Sequence, residues 1–291
     1  VKILDLGRVL SGPFCTMLLA DLGAEVVKVE QPQKGDPSRD LGPRVDGDSS
    51  YFISVNRGKK GITLNIFSKE GQAILIKLIP HFDILVENYV PGTMARIGLD
   101  YARVKEINPR LIYASISGFG QSGPYAQRPA LDIIVQAMGG IMSVTGDPDS
   151  HPIRPGASLG DSIAGTFTAL AIMSALFQRG TTGQGQYIDI SMLDCQVAIM
   201  ENAFSRYFAT GQVPGPLGTR HPAATPFQAF KASDRHFVVA LLTDDHETWT
   251  GFCNAIGSPD LAQDIRFQDN QSRTTHRDAL IHILDRVFQH K

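Results

Sequence analysis

The sequence predicts an α/β protein: a parallel sheet covered by helices, followed by a smaller α+β domain. Three observations predict it. Through residues 1–200, short apolar runs alternate with helical patterns, the signature of parallel strands joined by crossover helices. The stretch Gly211 to Gly218, GQVPGPLG, is linker-like, and beyond it the pattern shifts. The chain has 291 residues, 43% of them hydrophobic and 19% charged, enough for a sizeable core in one or two domains. The division read from these signals is a large domain over 1–200, a linker over 201–217 and a small domain over 218–291.

Each element has its own signal. Lys2 to Leu6 (KILDL) is a strand. Pro13 to Leu22 is a helix, with Ser11 suited to cap it and Pro13 suited to its first turn. Gly23 ends it, and Glu25 to Glu30 is the next strand. A loop rich in Gly, Pro and Asp runs from Gln31 to Ser50. Gly61 to Ile66, Asp83 to Asn88 and Leu111 to Ser117 are further strands, and Ser68 to Ile79 and Tyr101 to Ile107 are helices. Helices near Asp132 to Val144 and Ser162 to Arg179 precede a TTGQG turn, a YIDISM strand and a helix from Leu193 to Thr210. The apolar stretch Ile163 to Phe177 is short for a bilayer span of about 20 residues and reads as a buried helix. After the linker, FQAFKASDRHFVVAL reads as a hairpin turning at Ser233-Asp234, followed by helices near His246 to Ile256 and His276 to His290. Ligands of open parallel sheets sit beyond the carboxyl ends of the strands. The loops after Leu6, Glu30, Asn88 and Ser117 are therefore where a site is expected.

The formal net charge of -2 provides no global attraction for nucleic acid or an anionic membrane. Cys15, Cys195 and Cys253 are far apart and form no C-x-x-C, which fits a reduced compartment and opposes a disulfide framework or a zinc site. The eight histidines show no metal-ligand spacing, so no metal is expected. Cysteine usage and the lack of a visible signal peptide point to the cytoplasm, with mitochondria or peroxisomes compatible for a eukaryotic chain.

Two motifs suggest familiar chemistry and fit it poorly. Gly118 to Gly123 spells G-x-G-x-x-G after a strand, but Pro124 and Pro129 follow and no helix opens inside it, as a dinucleotide site requires. Gly160 to Ala164 (GDSIA) is close to the nucleophile elbow of hydrolases, which would make Ser162 essential, yet the preceding RPGASLG is a poor strand. Asp161 itself has two readings. It can be a helix cap. It can also be a carboxylate kept ionised by the positive end of a helix, able to attack an activated carbonyl and form an acyl-enzyme. Gly156 and Gly160 leave room beside it for a bulky thioester. Lys28, Arg39, Arg57, Lys59, Lys60 and Arg96 lie at the ends of early elements, where several together could hold a multiply charged anion.

The opening ILDLGRVLSGPFCTMLLADLGAEVVKVEQPQKGDPSR resembles the start of family III CoA-transferases. NRGKKGITLNI, DILVENYVPGTMARIGLDY, INPRLIYASISGFGQSGPYAQRP, LDIIVQAMGGIMSVTG, SLGDSIAG and TGQGQYIDISMLD follow in that family's order. The resemblance covers nearly the whole chain and is strongest from Val1 to Leu193. It implies a Rossmann-like large domain with a small α+β domain, and an interlocked homodimer in which the chain returns from the small domain to the large one, a return that residues 1–291 are expected to stop short of. It implies an enzyme that moves CoA from an acyl-CoA to a carboxylic acid, with no permanently bound cofactor. Asp161 of LGDSIAG would be the nucleophile, forming an anhydride and then an aspartyl-CoA thioester. CoA contacts would come from Val9, Leu10 and Ser11, from Asn56 and Lys59, from Asn88 and Tyr89, from Arg96, and from Ala130, Leu131 and Asp132. Leu10 stands where formyl-CoA transferases carry Gln, which tilts the expected acid away from formate and oxalate toward dicarboxylate or carnitine-type acids. GTRHPAATPF stands where those enzymes have a glycine-rich lid. α-Methylacyl-CoA racemases of the same fold place a His–Asp pair where this chain has Leu131-Asp132, and leucine cannot shuttle a proton. A CoA-binding protein without catalysis, with Asp161 only a cap, is the reading from another class.

Overall fold

The computed structural model describes residues 1–289. In chain order its first elements are β1 (Lys2–Asp5), α1 (Ser11–Asp21), β2 (Glu25–Glu30), the two-residue strands β3 (Arg44–Val45) and β4 (Asp48–Ser49), α2 (Ser50–Asn56), β5 (Lys59–Thr63), α3 (Lys69–Leu78), β6 (Ile84–Glu87), α4 (Thr93–Arg96), α5 (Tyr101–Ile107) and β7 (Ile112–Ser117). Then come α6 (Asp132–Met138), α7 (Leu159–Thr182), β8 (Tyr187–Ser191), α8 (Met192–Ala198) and α9 (Glu201–Thr210). The six longer strands form one parallel sheet in the order β5-β2-β1-β6-β7-β8.

Every residue of β6 and β7 is buried, as expected for a parallel sheet with both faces covered. Successive side chains leave a strand on opposite faces, which sorts the core into two layers. Ile3, Val26, Ile84, Val86, Ile112 and Ala114 pack with Cys15 and Leu19 of α1, Ala164 and Ile172 of α7 and Met192 of α8. Their neighbours Leu4, Leu85 and Tyr113 pack on the other face with Leu75 of α3, Met94 of α4 and Val104 of α5.

Two glycines decide how elements dock. A Cβ on Gly165 of α7 would lie 2.8 Å from the Ser11 carbonyl oxygen and 3.2 Å from the Cys15 nitrogen. This absence of a side chain lets α7 lie on the first turn of α1. Gly185 enters β8 against the chain before β7: its N–H donates to the Pro109 carbonyl at 2.9 Å, and an added Cβ would fall 2.0 Å from the Leu111 oxygen. Gly185→Ala is expected to destabilise the protein by about 1–3 kcal/mol through overpacking, read as a lowered urea midpoint; an unchanged midpoint would show that this backbone yields.

Several boundaries differ from those the sequence predicts. α7 begins at Leu159, before Ser162, and runs 24 residues to Thr182, where Gly183 ends it at φ +70°. Its length and composition suffice for a bilayer span, but Ala164, Gly165, Thr168, Ala169, Ile172 and Ala175 are buried in the core. The helix expected over 193–210 is two helices, because the Met200 N–H turns back to the Val197 carbonyl at 3.1 Å in a tighter i→i+3 turn. α6 stops at Met138, short of Val144.

The chain clusters into two compact units: Val1–Met142 with Arg154–Gln212, and Ser143–Ile153 with the chain from Val213 on. In the second unit β9 (Phe227–Lys231) and β10 (His236–Ala240) form an antiparallel hairpin, followed by α10 (His246–Ala255), α11 (Asn270–Thr275) and α12 (Arg277–Gln289). Its core joins Phe230, Trp249, Phe267, Leu280, Leu284 and Phe288. Arg273 is buried among them. Its guanidinium donates to the carbonyls of Thr225 (2.8 Å), Phe267 (3.1 Å) and Thr243 (2.6 Å) and lies 4.7 Å from the Trp249 ring centre.

Candidate active site

A cleft of about 500 Å³ opens at the carboxyl ends of β1, β6 and β7, within the first unit. That volume suits a small-molecule site. Its walls come from the loop after β1, the Asn88–Pro91 turn, Thr93 and Arg96 of α4, Ser117 and Gly118 after β7, the Arg128–Asp132 entry to α6, and Asp161 of α7. Of the residues singled out in the sequence, Val9, Leu10, Ser11, Asn88, Tyr89, Arg96, Ala130, Leu131, Asp132 and Asp161 line this one cleft.

Asn56 and Lys59 do not line it. The Lys59 ammonium donates to Asp5 Oδ2 (3.0 Å), the Pro13 carbonyl (2.8 Å) and Asn56 Oδ1 (3.0 Å), which uses all three of its protons. Its side chain is 2% exposed and that of Asp5 is 0% exposed. This pair joins the two flanks of the β1–α1 loop. Within the NRGKK turn, Lys59 thus serves as a buried support, with its protons spent on the protein's own groups.

The loop itself is held from two sides. On one, the Asp36 carboxylate accepts the Val9 N–H at 3.1 and 3.2 Å and pairs with the Lys28 ammonium at 2.9 Å, while Lys28 also donates to the Gly7 carbonyl at 2.8 Å. Val9 has φ +61°, a left-handed conformation that a β-branched residue adopts only at a cost. On the other side, Asn88 Oδ1 accepts the Arg8 N–H (2.7 Å), and its amide nitrogen donates to the Arg8 carbonyl (2.8 Å) and to Ser11 Oγ (3.0 Å). The Asn88 side chain, expected to contact pantetheine, is therefore engaged with the protein's own loop.

Ser11 is not a cap. It is the first residue of α1, Leu10 occupies the cap position, and no side chain caps the helix. The Ser11 main-chain N–H and hydroxyl instead share the cleft with the Asp161 carboxylate and favour its charged form.

Asp161 is not a cap either. It is the third residue of α7. The capping work falls to Asp132, whose Oδ1 accepts the Gly160 N–H at 2.9 Å while its Oδ2 takes Gln136 (2.7 Å) and Arg154 (2.9 Å). Burial, followed by the negative charge of Asp132, pushes the Asp161 carboxyl up to about 6, against the opposing pull of the two Ser11 donors. Tyr51 also stands in the field of Asp161 and Asp132, which together with its burial raises the phenol. At neutral pH, Asp161 is an ionised but poorly solvated carboxylate facing a cleft, a state suited to nucleophilic attack.

The competing motifs lose their geometry here. Ser162 lies inside the first turn of α7 and does not line the cleft. The chain immediately before α7, residues 144–158, contains no strand, so no strand-to-helix elbow exists. Gly118 to Gly123 is followed by irregular chain until α6 opens at Asp132.

Among the residues not singled out that also line the cleft are Arg8, Arg128 and Ser117. Arg8 sits 5.7 Å from the Tyr89 ring centre and Arg128 lies 3.9 Å from that of Tyr125. Both follow strands whose ends were expected to border the site, and that position was the available signal. The Ser117 hydroxyl is buried and unpartnered, which calls for a ligand or water atom in the occupied cleft.

Comparison with known proteins agrees with this arrangement. The profile of CoA-transferase family III matches residues 1–291. The acetyl-CoA:oxalate CoA-transferase of Acetobacter aceti is 46% identical over 287 residues, covering 98% of this chain and 73% of that protein. The succinyl-CoA:glutarate CoA-transferase of Mus musculus is 42% identical over 289 residues, covering 99% of this chain and 66% of that one. The chain thus spans about two thirds to three quarters of the length of these relatives. Among solved structures, a CAIB/BAIF family protein of Brucella suis superposes with a TM-score of 0.87 at 39% identity, over 100% of this chain and 78% of that chain. With the whole chain matched and its sheet, cleft and carboxylate arranged as described, this protein is a member of CoA-transferase family III.

Proposed function

We propose that the protein transfers CoA from an acyl-CoA to a small dicarboxylic acid through covalent intermediates on Asp161. One observation carries the reading: in the cleft at the strand ends, a single half-buried carboxylate is pushed up to about 6 while guanidiniums of Arg8, Arg96 and Arg128 line the same walls. Guanidinium groups suit the phosphates of CoA and the far carboxylate of a diacid. Relatives named for oxalate, glutarate, D-citramalate and mesaconate support the acid class, with acetyl-CoA and succinyl-CoA as donors; the oxalate relative runs against the tilt away from oxalate read from Leu10. CoA is a substrate here, and the chemistry of Asp161 needs no resident cofactor. The reading also carries a homodimer and a reducing, cytoplasmic setting, with which the three buried, unpaired cysteines are consistent.

Racemase chemistry fits less well. Leu131 has no titratable group, and the Asp132 carboxylate is occupied by Gly160, Gln136 and Arg154. The test is to supply acetyl-CoA or succinyl-CoA with each of these acids and follow new thioesters by mass spectrometry. Formation of the acceptor's CoA ester supports transfer. Exchange of the α-proton of a 2-methylacyl-CoA without transfer would support the racemase.

The pH profile follows from the same group. Because Asp161 attacks as the anion, kcat is expected to rise through about pH 6 and level off above it. A rate independent of pH between 5 and 7 would remove Asp161 from the rate-determining chemistry.

A further inference from the structure

We propose that Ser11 is a catalytic residue of this transfer: its hydroxyl, oriented by Asn88, stabilises negative charge on the carbonyl oxygen of Asp161 itself. The inference rests on the reading of Asp161 as the acyl carrier.

The geometry starts at Asn88. Its Oδ1 accepts a main-chain N–H from Arg8 at 2.7 Å, so its nitrogen is identified and can only donate. That nitrogen donates to Ser11 Oγ at 3.0 Å. Ser11 Oγ is therefore an acceptor in this contact, and its own proton is free to point elsewhere. Ser11 is 3% exposed, so little water competes for it. Gly165 brings α7 onto the first turn of α1, and Asp161 stands one helical turn before Gly165. Asp161 lines the same cleft as Ser11, and the Ser11 hydroxyl and main-chain N–H both favour its charged form. That N–H is one of the four unpaired donors at the start of α1.

The chemistry shows when these donors matter. First, an Asp161 oxygen bonds the acyl carbon of the thioester; the C–S bond breaks and its electron pair leaves on the CoA thiolate. The thiolate then bonds the Asp161 carboxyl carbon of the anhydride. The π pair moves to the Asp161 carbonyl oxygen, then returns as the bond to the donor acid breaks, releasing a carboxylate and leaving aspartyl-CoA. The acceptor carboxylate attacks the same carbon, charge again gathers on the same oxygen, and thiolate leaves. Finally thiolate takes the acceptor's acyl carbon and frees Asp161. No net proton moves. In the second and third steps the oxyanion forms on Asp161's own oxygen, in the cleft that the Ser11 hydroxyl also lines. Charge that is shared by two oxygens at rest is concentrated on one in these steps, so the donors act more strongly there.

The experiment is rapid-quench mass spectrometry of the enzyme mixed with succinyl-CoA, following the CoA adduct on Asp161. Ser11→Ala is expected to slow its appearance, and kcat, by about 100-fold, with the KM for acyl-CoA and the melting temperature little changed. Ser11→Thr keeps a hydroxyl and is expected to recover most of the rate. If Ser11→Ala does not fold, Ser11→Cys replaces it, keeping the volume with a weaker donor, and a loss of tenfold or more is expected. Adduct formation at the wild-type rate in the hydroxyl-free variant overturns the proposal for Ser11 and leaves the role of Asp161 standing. Absence of any Asp161 adduct in the wild type instead overturns the reading on which it rests.

Discussion

Replacing Asp161 should abolish CoA transfer and stabilise the fold at the same time. Asp161→Ala removes the nucleophile, and losses of about 10⁴-fold or more in kcat are typical of such removals. Stability should move the other way. Burial and the Asp132 charge push the carboxyl up to about 6, above its ordinary value. The folded protein therefore binds this proton more tightly than the unfolded chain. Its destabilising effect builds as pH rises from the ordinary carboxylate range to about 6 and is complete above that. The neutral isostere Asp161→Asn escapes it, so at pH 7.5 its melting temperature should exceed that of the wild type, whereas near pH 3.5 the two should converge. A helix-capping aspartate would behave oppositely, losing about 0.5–2 kcal/mol on replacement. Calorimetry at the two pH values distinguishes these roles, and a lower melting temperature for Asp161→Asn at pH 7.5 would contradict the present account.

The second large effect is expected at the Lys28–Asp36 pair. Both side chains are nearly inaccessible, 2% and 1% exposed, at 2.9 Å. Lys28→Met leaves Asp36 buried without its counter-charge, a change that costs about 3–5 kcal/mol in comparable pairs. Burial alone would raise the Asp36 carboxyl, but Lys28 and the Ser38 donors outweigh it and hold the carboxyl below its ordinary value. The stabilisation is therefore present above the ordinary carboxylate range and is lost as pH falls through the lowered value. The double variant Lys28→Met/Asp36→Leu should recover much of the stability, since apolar replacements of buried pairs are often neutral. It should not recover activity, because Asp36 also holds the Val9 N–H at φ +61° and with it the loop that carries Ser11. Urea denaturation beside kcat measurements checks both halves; full activity in the double variant would show that the loop keeps its shape without Asp36.

Much of the sheet could be read from the amino acids because its central strands β6 and β7 are short, wholly buried runs separated from their neighbours by helical periodicity. DILVEN and LIYASIS place β6 and β7 within a residue of their observed limits. The same reading located the cleft, since the loops after β1, β6 and β7 all reach it. What escaped it depends on contacts between distant residues. Ser11 and Asp161 each have the local pattern of a helix cap, and nothing nearby in sequence shows that α1 and α7 lie together at Gly165 or that Asp132, 28 residues away, caps α7. Lys59 looks like a phosphate ligand in a glycine turn until Asp5 is brought within 3.0 Å of it. The break at Met200 and the short α11, which Asp269 caps through the Ser272 N–H at 2.6 Å, have no apolar periodicity long enough to announce them.

The most direct test is to incubate the protein with succinyl-CoA, trap with hydroxylamine and map the modified residue by peptide mass spectrometry, beside Asp161→Ala. The account predicts a hydroxamate at Asp161 that is absent from the variant. An unmodified Asp161 in a protein that nonetheless forms the acceptor's CoA ester would contradict it, because transfer would then proceed without the aspartyl intermediate.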